Sequence, residues 1–422
     1  MLNDLKPKSE FSRNVLTLMT GAVIAQAIPI AISPILTGIY SPEDFGLFAL
    51  YISIASIGSL VATGRYELAI MLPKKDEDAI NIVALSVVIS FFVSFLTFLI
   101  VFIFNTQITN LIGNSEISSW LYFMPITILL TGIYQSFNYW SNRKKHYKRL
   151  AVNKVVQTTA ASSTNLGIGL GGFAYNGLIL GGLVGQGIAT FVLVKTAWSE
   201  YKYSLSEINA LQIFVLIKRY KKLPIFNLPN ALIDGFRLTG IFVLIANSFA
   251  TATLGQFSLA WKMLQTPMSI IGSSLSQVFF QKIASAEKKD LNLIVKKYTI
   301  KAIIISLPIF LIIYFFSIDI FVVVFGKNWQ LAGEAASIMS PWLFLNFLTT
   351  PMANIFITLN KQEIVLVVSL LYMLVPISLL LIFNELAFLE VLKLITLSMS
   401  LILILYLGLL FIYTKKEVHS AL

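Results

Sequence analysis

Apolar residues along this chain fall into blocks of about 20 or more, enough at ~1.5 Å per residue to cross the ~30 Å hydrocarbon core of a bilayer. Twelve blocks begin near residues 14, 46, 79, 118, 150, 175, 224, 255, 301, 333, 364 and 388, with short polar or basic segments between them. Eleven or thirteen are the alternatives, because the stretches at 150–196 and 364–413 are joined by very short turns. An even number fits better. The pattern predicts an all-α polytopic membrane protein of about 12 transmembrane helices. Lys6, Lys8 and Arg13 precede the first block, and its Ala25-Gln26-Ala27 imitates a signal-peptidase site. The apolar stretch nevertheless continues to Leu36, so a retained helix is expected.

Composition narrows the chemistry. Of 422 residues, 57% are hydrophobic and 12% charged, with mean hydropathy +0.82; soluble domains carry about 25% charged residues. The absence of cysteine excludes disulfides, thiolate nucleophiles and thiolate-held metals, and two scattered histidines, His146 and His419, make a poor metal site. No catalytic residue, metal or cofactor is expected, and the chain is read as a non-enzyme. If the N-terminus is cytoplasmic, 27 of the 31 lysines and arginines lie on the cytoplasmic side, the bias that sets membrane orientation. Lys327 alone falls in an outer loop, Arg237, Lys262 and Lys393 fall inside spans, and the C-terminus is also cytoplasmic. The net charge of +11 is thus mainly a topology signal that also suits an anionic inner leaflet. Nucleic acid is not an expected partner.

A repeat supports an even division. The second span opens "DFGLFALY" (44–51) and the eighth "TLGQFSLA" (253–260), and each is followed by Lys-Lys-Asp, at 74–76 and 288–290. The two halves would be a six-helix bundle over 1–200, a basic cytoplasmic linker at 201–223, and a second six-helix bundle over 224–422.

The outer turn "YSPEDFGLFAL" (40–50) and the inner segment "GRYELAIMLPKKDEDA" (64–79) resemble the N-terminal half of Wzx-type polysaccharide or O-antigen flippases. These belong to the MATE-like (MOP) superfamily that also includes the lipid II flippase. The resemblance covers the whole chain in length and span pattern, with sharp motifs at 40–80 and an echo at 253–290. It implies two six-helix bundles around a V-shaped cavity in the bacterial plasma membrane. It also implies movement of a polyprenyl-diphosphate-linked oligosaccharide from the inner to the outer leaflet by alternating access. The implied partners are that lipid-linked substrate, membrane lipids, H⁺ or Na⁺, and glycan polymerase and chain-length machinery.

The residues carry their own argument. The seventh block, "LPIFNLPNALIDGFRLTG" (223–240), holds Asn227, Asn230, Asp234 and Arg237 within an arc of about 80° on a helix. In the eighth, Ser258, Lys262, Gln265, Ser269, Ser273 and Ser276 share a similar arc of about 80°. A charge at mid-bilayer costs about 2.5–3.5 kcal/mol, so Asp234, Arg237 and Lys262 belong beside water, each other or a charged ligand. Arg237 and Lys262 suit a diphosphate, the first as a bidentate fork and the second as a point charge. Asn230 and Gln265 are placed to meet sugar hydroxyls, and Asp234 is the expected ion-coupling group. Arg65 and Glu67, at the inner end of the second span, would form part of an inner gate.

Each assignment has a plainer alternative. Asp234 and Arg237 can be an intrahelical ion pair that aids packing, Lys262 can snorkel to an interface, and Arg65 can simply anchor a cytoplasmic helix end. The basic run "NRKKHYKR" (142–149) is read as anchoring. Gly177, Gly181 and Gly185 mark close helix packing, while Gly167-x-Gly169 follows no strand and does not read as a nucleotide loop. No Walker sequence is present, so transport would draw on an ion gradient or on the substrate gradient. A drug or cation exporter on the same scaffold would want more carboxylates than bases in its cavity. A glycan polymerase or glycosyltransferase would need catalytic groups on a sizeable outer loop, whereas loop 105–117 offers only Glu116.

Overall fold

The computed structural model describes residues 10–172, 177–201, 207–284, 290–352, 355–356, 359 and 361–421. Among them lie twelve helices of 20 residues or more and no strand. The first six are α1 (Glu10–Ile39), α2 (Pro42–Val61), α3 (Asp76–Ile112), α5 (Met124–Arg143), α6 (Tyr147–Leu170) and α7 (Gly177–Tyr201). The others are α9 (Leu228–Ser248), α10 (Thr251–Ala284), α11 (Leu291–Phe325), α12 (Gln330–Thr349), α13 (Gln362–Ile382) and α14 (Phe388–Ala421). Two short helices, α4 (Ile117–Leu121) and α8 (Ala210–Arg219), complete the set. Every apolar block of the sequence falls on one long helix. Eight of the helices are long and apolar enough to cross a membrane, and Leu223–Arg237 with Thr239–Ser248, bent by 46° at the break, counts as a ninth where the pair is taken as one span. The chain is a multi-pass membrane protein. Helices α6, α10 and α12 fall short by composition because polar residues interrupt them.

Local chemistry sets the helix ends. Ser41 and Asp44 form a reciprocal capping box at the start of α2, Ser41 N donating to Asp44 Oδ2 at 2.8 Å and Asp44 N to Ser41 Oγ at 3.2 Å. Pro42 takes the first helical position, where its missing N–H costs nothing. Asp76, Glu77 and Asp78 occupy the first turn of α3, against the positive end of its dipole. The two repeat glycines stand in the same register: Gly46 and Gly255 are each buried and each the fifth residue of their helix. Each is followed by a long helix and then one of 20 residues: α3 (37) precedes α5, and α11 (35) precedes α12.

The residues divide into two compact units, one through Asn247 and one from Ser248. The sequence partition opens the second bundle at 224, whereas α9 packs within the first unit. A methyl group on Gly235 would come within 2.5 Å of a Leu60 methyl, and one on Gly113 within 2.6 Å of Asn247 Oδ1. The segment between α7 and α9 is not a loose tether in its described part. Asn209 caps α8 by accepting from Leu211 N at 2.9 Å. Asn81 of α3 donates to Glu207 O at 3.0 Å and accepts from Asn209 N at 2.8 Å, and Gln212 donates to Asp78 at 2.6 Å. Leu216 then buries its side chain with Ile70, Ile80 and Trp140. Tyr203 of the linker lies outside the described residues.

In the second unit α11 and α12 pack closely. Ser317 Oγ donates to Gly333 O at 2.8 Å and Ser340 Oγ to Phe310 O at 2.9 Å. Gly333 allows this approach, since a β-carbon there would lie 2.7 Å from Ile318 Cα.

Candidate functional site

At its C-terminal end α2 runs into Gly64 and Arg65, both left-handed, with φ of 58° and 66°. For arginine this conformation costs about 1–3 kcal/mol, and it aims the guanidinium at two partners. Arg65 Nε donates to Asn227 Oδ1 at 2.9 Å, and Nη1 stands 3.4 Å from Glu67 Oε1. Glu67 is buried, and its other carboxylate oxygen accepts from the Thr63 hydroxyl. Asn227 ends the π-helical turn Leu223–Asn227 that leads into α9. Next door, Tyr66 donates to Ile217 O of α8 at 3.3 Å, and burial pushes its phenol above the ordinary value. The two residues expected at an inner gate are thus joined to the start of α9.

Along α9, Asn230 and Asp234 are exposed. Arg237 Nη2 donates to Asp234 Oδ1 at 3.3 Å, a single contact rather than a bidentate one. The intrahelical ion pair therefore forms. It leaves Arg237 Nε buried without an acceptor, so the guanidinium keeps a donor unspent.

Lys262 and Gln265 lie on α10 in the second unit. The helix begins at Thr251, earlier than the sequence pattern indicates, and Lys262 is therefore about 16 Å along it at 1.5 Å per residue. Its side chain is exposed, and among the described residues it has no hydrogen-bond or ion-pair partner. Ser258 and Ser269 of the same stripe donate back to their own helix, to Gly255 O and Thr266 O at 2.8 and 2.9 Å. The side chains of Ser273 and Ser276 lie outside the described residues.

Sequence reasoning does not single out the aromatic contacts of Trp261, the residue before Lys262. Trp261 and Trp342 rings stand 5.5 Å apart, and Trp342 Nε1 donates to Tyr372 OH at 2.5 Å. These contacts hold α10 to α12 and α13. Only the abundance of aromatic residues hints at them.

Two plainer assignments have clear geometry. In the basic run, Arg143 Nε donates to Asp76 Oδ1 at 2.9 Å, Lys144 also pairs with Asp76, and Arg143 Nη1 reaches Ile70 O at 3.1 Å. These side chains tie the end of α5 to the segment leading into α3. The glycine ladder is packing: a β-carbon on Gly185 would lie 2.6 Å from Gln157 O, and one on Gly181 2.8 Å from Ala161 O. Lys154 is the eighth residue of α6 and donates to Gln157 Oε1 at 2.9 Å.

The profile of a family described as polysaccharide biosynthesis protein matches residues 35–333. No curated protein matches the chain significantly. Among solved structures, the lipid II flippase MurJ in an inward closed conformation is similar with a TM-score of 0.67 and 13% identity, over 97% of this chain and 90% of that one. An inward-facing multidrug resistance MATE family transporter of the MOP superfamily is similar at a TM-score of 0.60 and 14% identity, over 96% of this chain and 94% of that one. A MOP superfamily transporter from Pyrococcus furiosus, described by a binding pocket of reversed polarity, is similar at 0.57 and 14%, over 97% and 96%. The fold is that of the MOP superfamily.

Proposed function

The chain belongs to the polysaccharide biosynthesis protein family, and on that premise we propose that it is a flippase for polyprenyl-diphosphate-linked oligosaccharide. It carries this substrate from the inner to the outer leaflet of the bacterial plasma membrane by alternating access. The observation that carries the reading is Lys262, an exposed cation at the twelfth position of the 34-residue helix α10 with no carboxylate beside it among the described residues. A site of that kind suits an anionic cargo and repels a cationic drug. The lipid II flippase of similar fold is named for a lipid-linked cargo, which agrees with the family description.

In this reading Arg237 and Lys262 receive the diphosphate, Asn230 and Gln265 meet sugar hydroxyls, and Arg65 latches the inner end of α9. Asp234 exchanges H⁺ or Na⁺ as the coupling group. Six helices on either side of the segment 201–223 form the two moving halves, with both termini cytoplasmic, and α9 is the helix through which they are connected. Glycan polymerase and chain-length machinery take the product.

Deletion of the gene tests the assignment. The expected phenotype is loss of surface polysaccharide with lipid-linked oligosaccharide accumulating on the inner leaflet, both reversed by the intact chain. Normal polysaccharide together with drug sensitivity would instead identify an exporter.

A further inference from the structure

Within the first unit, where α6 crosses α7, lies a polar cluster that the mechanism above leaves unused. Lys154 Nζ donates to Gln157 Oε1 at 2.9 Å, and Gln157 Nε2 donates in turn to Gln186 Oε1. Gln186 is the tenth residue of the 23-residue span Gly177–Ser199, about 14 Å from its start at 1.5 Å per residue. The cluster therefore sits inside the membrane thickness. Two amides can orient an ammonium, but they cannot cancel its charge. Among the described residues no carboxylate lies within ion-pair distance of Lys154.

The helical projection shows where the charge points. On α6, Gln157 and Ala161 pack against Gly185 of α7, while Ala151 packs against Gly21 and Gly169 against Ile39 and Tyr40, at the α1 side. Lys154 lies within about 60° of both sets, so it projects into the crevice where α1, α6 and α7 meet and away from the opposite, lipid-facing side of α6. The side chain is nevertheless exposed, so the crevice is open. Tyr40 closes its outer end, donating to Asn165 O at 2.6 Å and resting on Gly177.

We propose that Lys154, oriented by Gln157 and Gln186, forms an oxyanion-binding subsite in the first unit. Its ligand is a phosphate of a lipid diphosphate or the carboxylate of an acidic sugar, and the Gln186 amide group donates to an adjacent hydroxyl. The identity of the cargo rests on the flippase reading; the existence of the subsite does not.

The chain contains no cysteine, so Lys154→Cys supplies a single thiol for the test, in protein reconstituted into bilayers. An aminoethyl methanethiosulfonate returns an ammonium at that position, and the hydroxyethyl analogue returns similar bulk without charge. Lys154→Cys should lower transport about ten- to a hundred-fold at equal protein level, the loss of one charge-assisted hydrogen bond. The aminoethyl adduct should restore transport and the hydroxyethyl adduct should not. Labelling itself should slow about ten-fold under a saturating anionic probe. Protection by a short-chain isoprenyl diphosphate identifies the phosphate source, and protection by a uronic-acid oligosaccharide identifies the sugar. A thiol inert in the folded protein, labelling that neither anion slows, or equal rescue by both adducts would overturn the proposal. If the intact chain moves no lipid-linked saccharide, the flippase reading fails while the protection assay still decides the subsite.

Discussion

Arg65 and Asn227, 162 residues apart in the chain, meet through a 2.9 Å hydrogen bond that ties the C-terminal end of α2 to the turn leading into α9. Arg65 holds a left-handed backbone to make it, and α9 is fixed again at its far end, where Gly113 lies against Asn247. Because the inner contact includes a charge and is only slightly exposed, it is the stronger of the two.

If this contact is a gate latch, Arg65→Ala and Asn227→Ala should each slow transport several-fold. Their combination should be little worse than Arg65→Ala alone, with a coupling of about 1–2 kcal/mol. Transport rates corrected for protein level, taken around the double-mutant cycle, check this. Strict additivity would make Arg65 an anchor and nothing more.

The glycine ladder of α7 predicts a stability difference between neighbours. Gly185→Ala puts a methyl group 2.6 Å from Gln157 O, whereas Gly182→Ala meets only Phe48 Cε2 at 3.9 Å. The first should destabilise by about 1–3 kcal/mol through forced separation of α6 and α7. The second should be neutral or gain up to about 1 kcal/mol of helix propensity. Thermal unfolding of the two purified variants in detergent decides the point.

Lys145 offers a contrasting case to Arg65. It too is left-handed, with φ of 58°, but it is exposed in the turn between α5 and α6. Lys145→Gly should therefore stabilise by about 1 kcal/mol by relieving the backbone without changing transport. A lower melting temperature would show that the lysine makes a compensating contact.

These cases show what the linear pattern can and cannot express. The long helices were legible because bilayer thickness fixes the length of an apolar run, and the packing role of Gly177, Gly181 and Gly185 because small residues at i, i+4 and i+8 share a face. The capping box of Ser41 and Asp44 was implicit in "YSPEDFG". The start of α6 was less legible because a helix that begins amid basic residues hides its boundary: the apolar block opens near 150, yet α6 starts at Tyr147 within the basic run. The contacts that α9 makes with Arg65, Leu60 and the region of Gly113 were not legible because those residues are distant in sequence. No local spacing encodes such contacts. For the same reason the stripe on α9 was visible, while the unspent Nε of Arg237 was not.

Asp234 carries the energetic prediction. Its 3.3 Å contact with Arg237 is single and its side chain is exposed, a geometry that permits exchange of a bound ion. Asp234→Asn should leave binding of a lipid-linked saccharide in place while removing the response of transport to imposed H⁺ or Na⁺ gradients. Unchanged gradient dependence would leave the ion pair as a packing contact.

The most direct measurement is transbilayer movement of a synthetic polyprenyl-diphosphate-linked oligosaccharide in vesicles containing the purified chain, with Lys262, Lys262→Arg and Lys262→Met compared at equal incorporation. The account predicts flipping by the intact chain and partial retention by Lys262→Arg, with a ten- to hundred-fold loss for Lys262→Met, about 1.5–3 kcal/mol of charge-assisted binding. Flipping by Lys262→Met at the rate of the intact chain would contradict it.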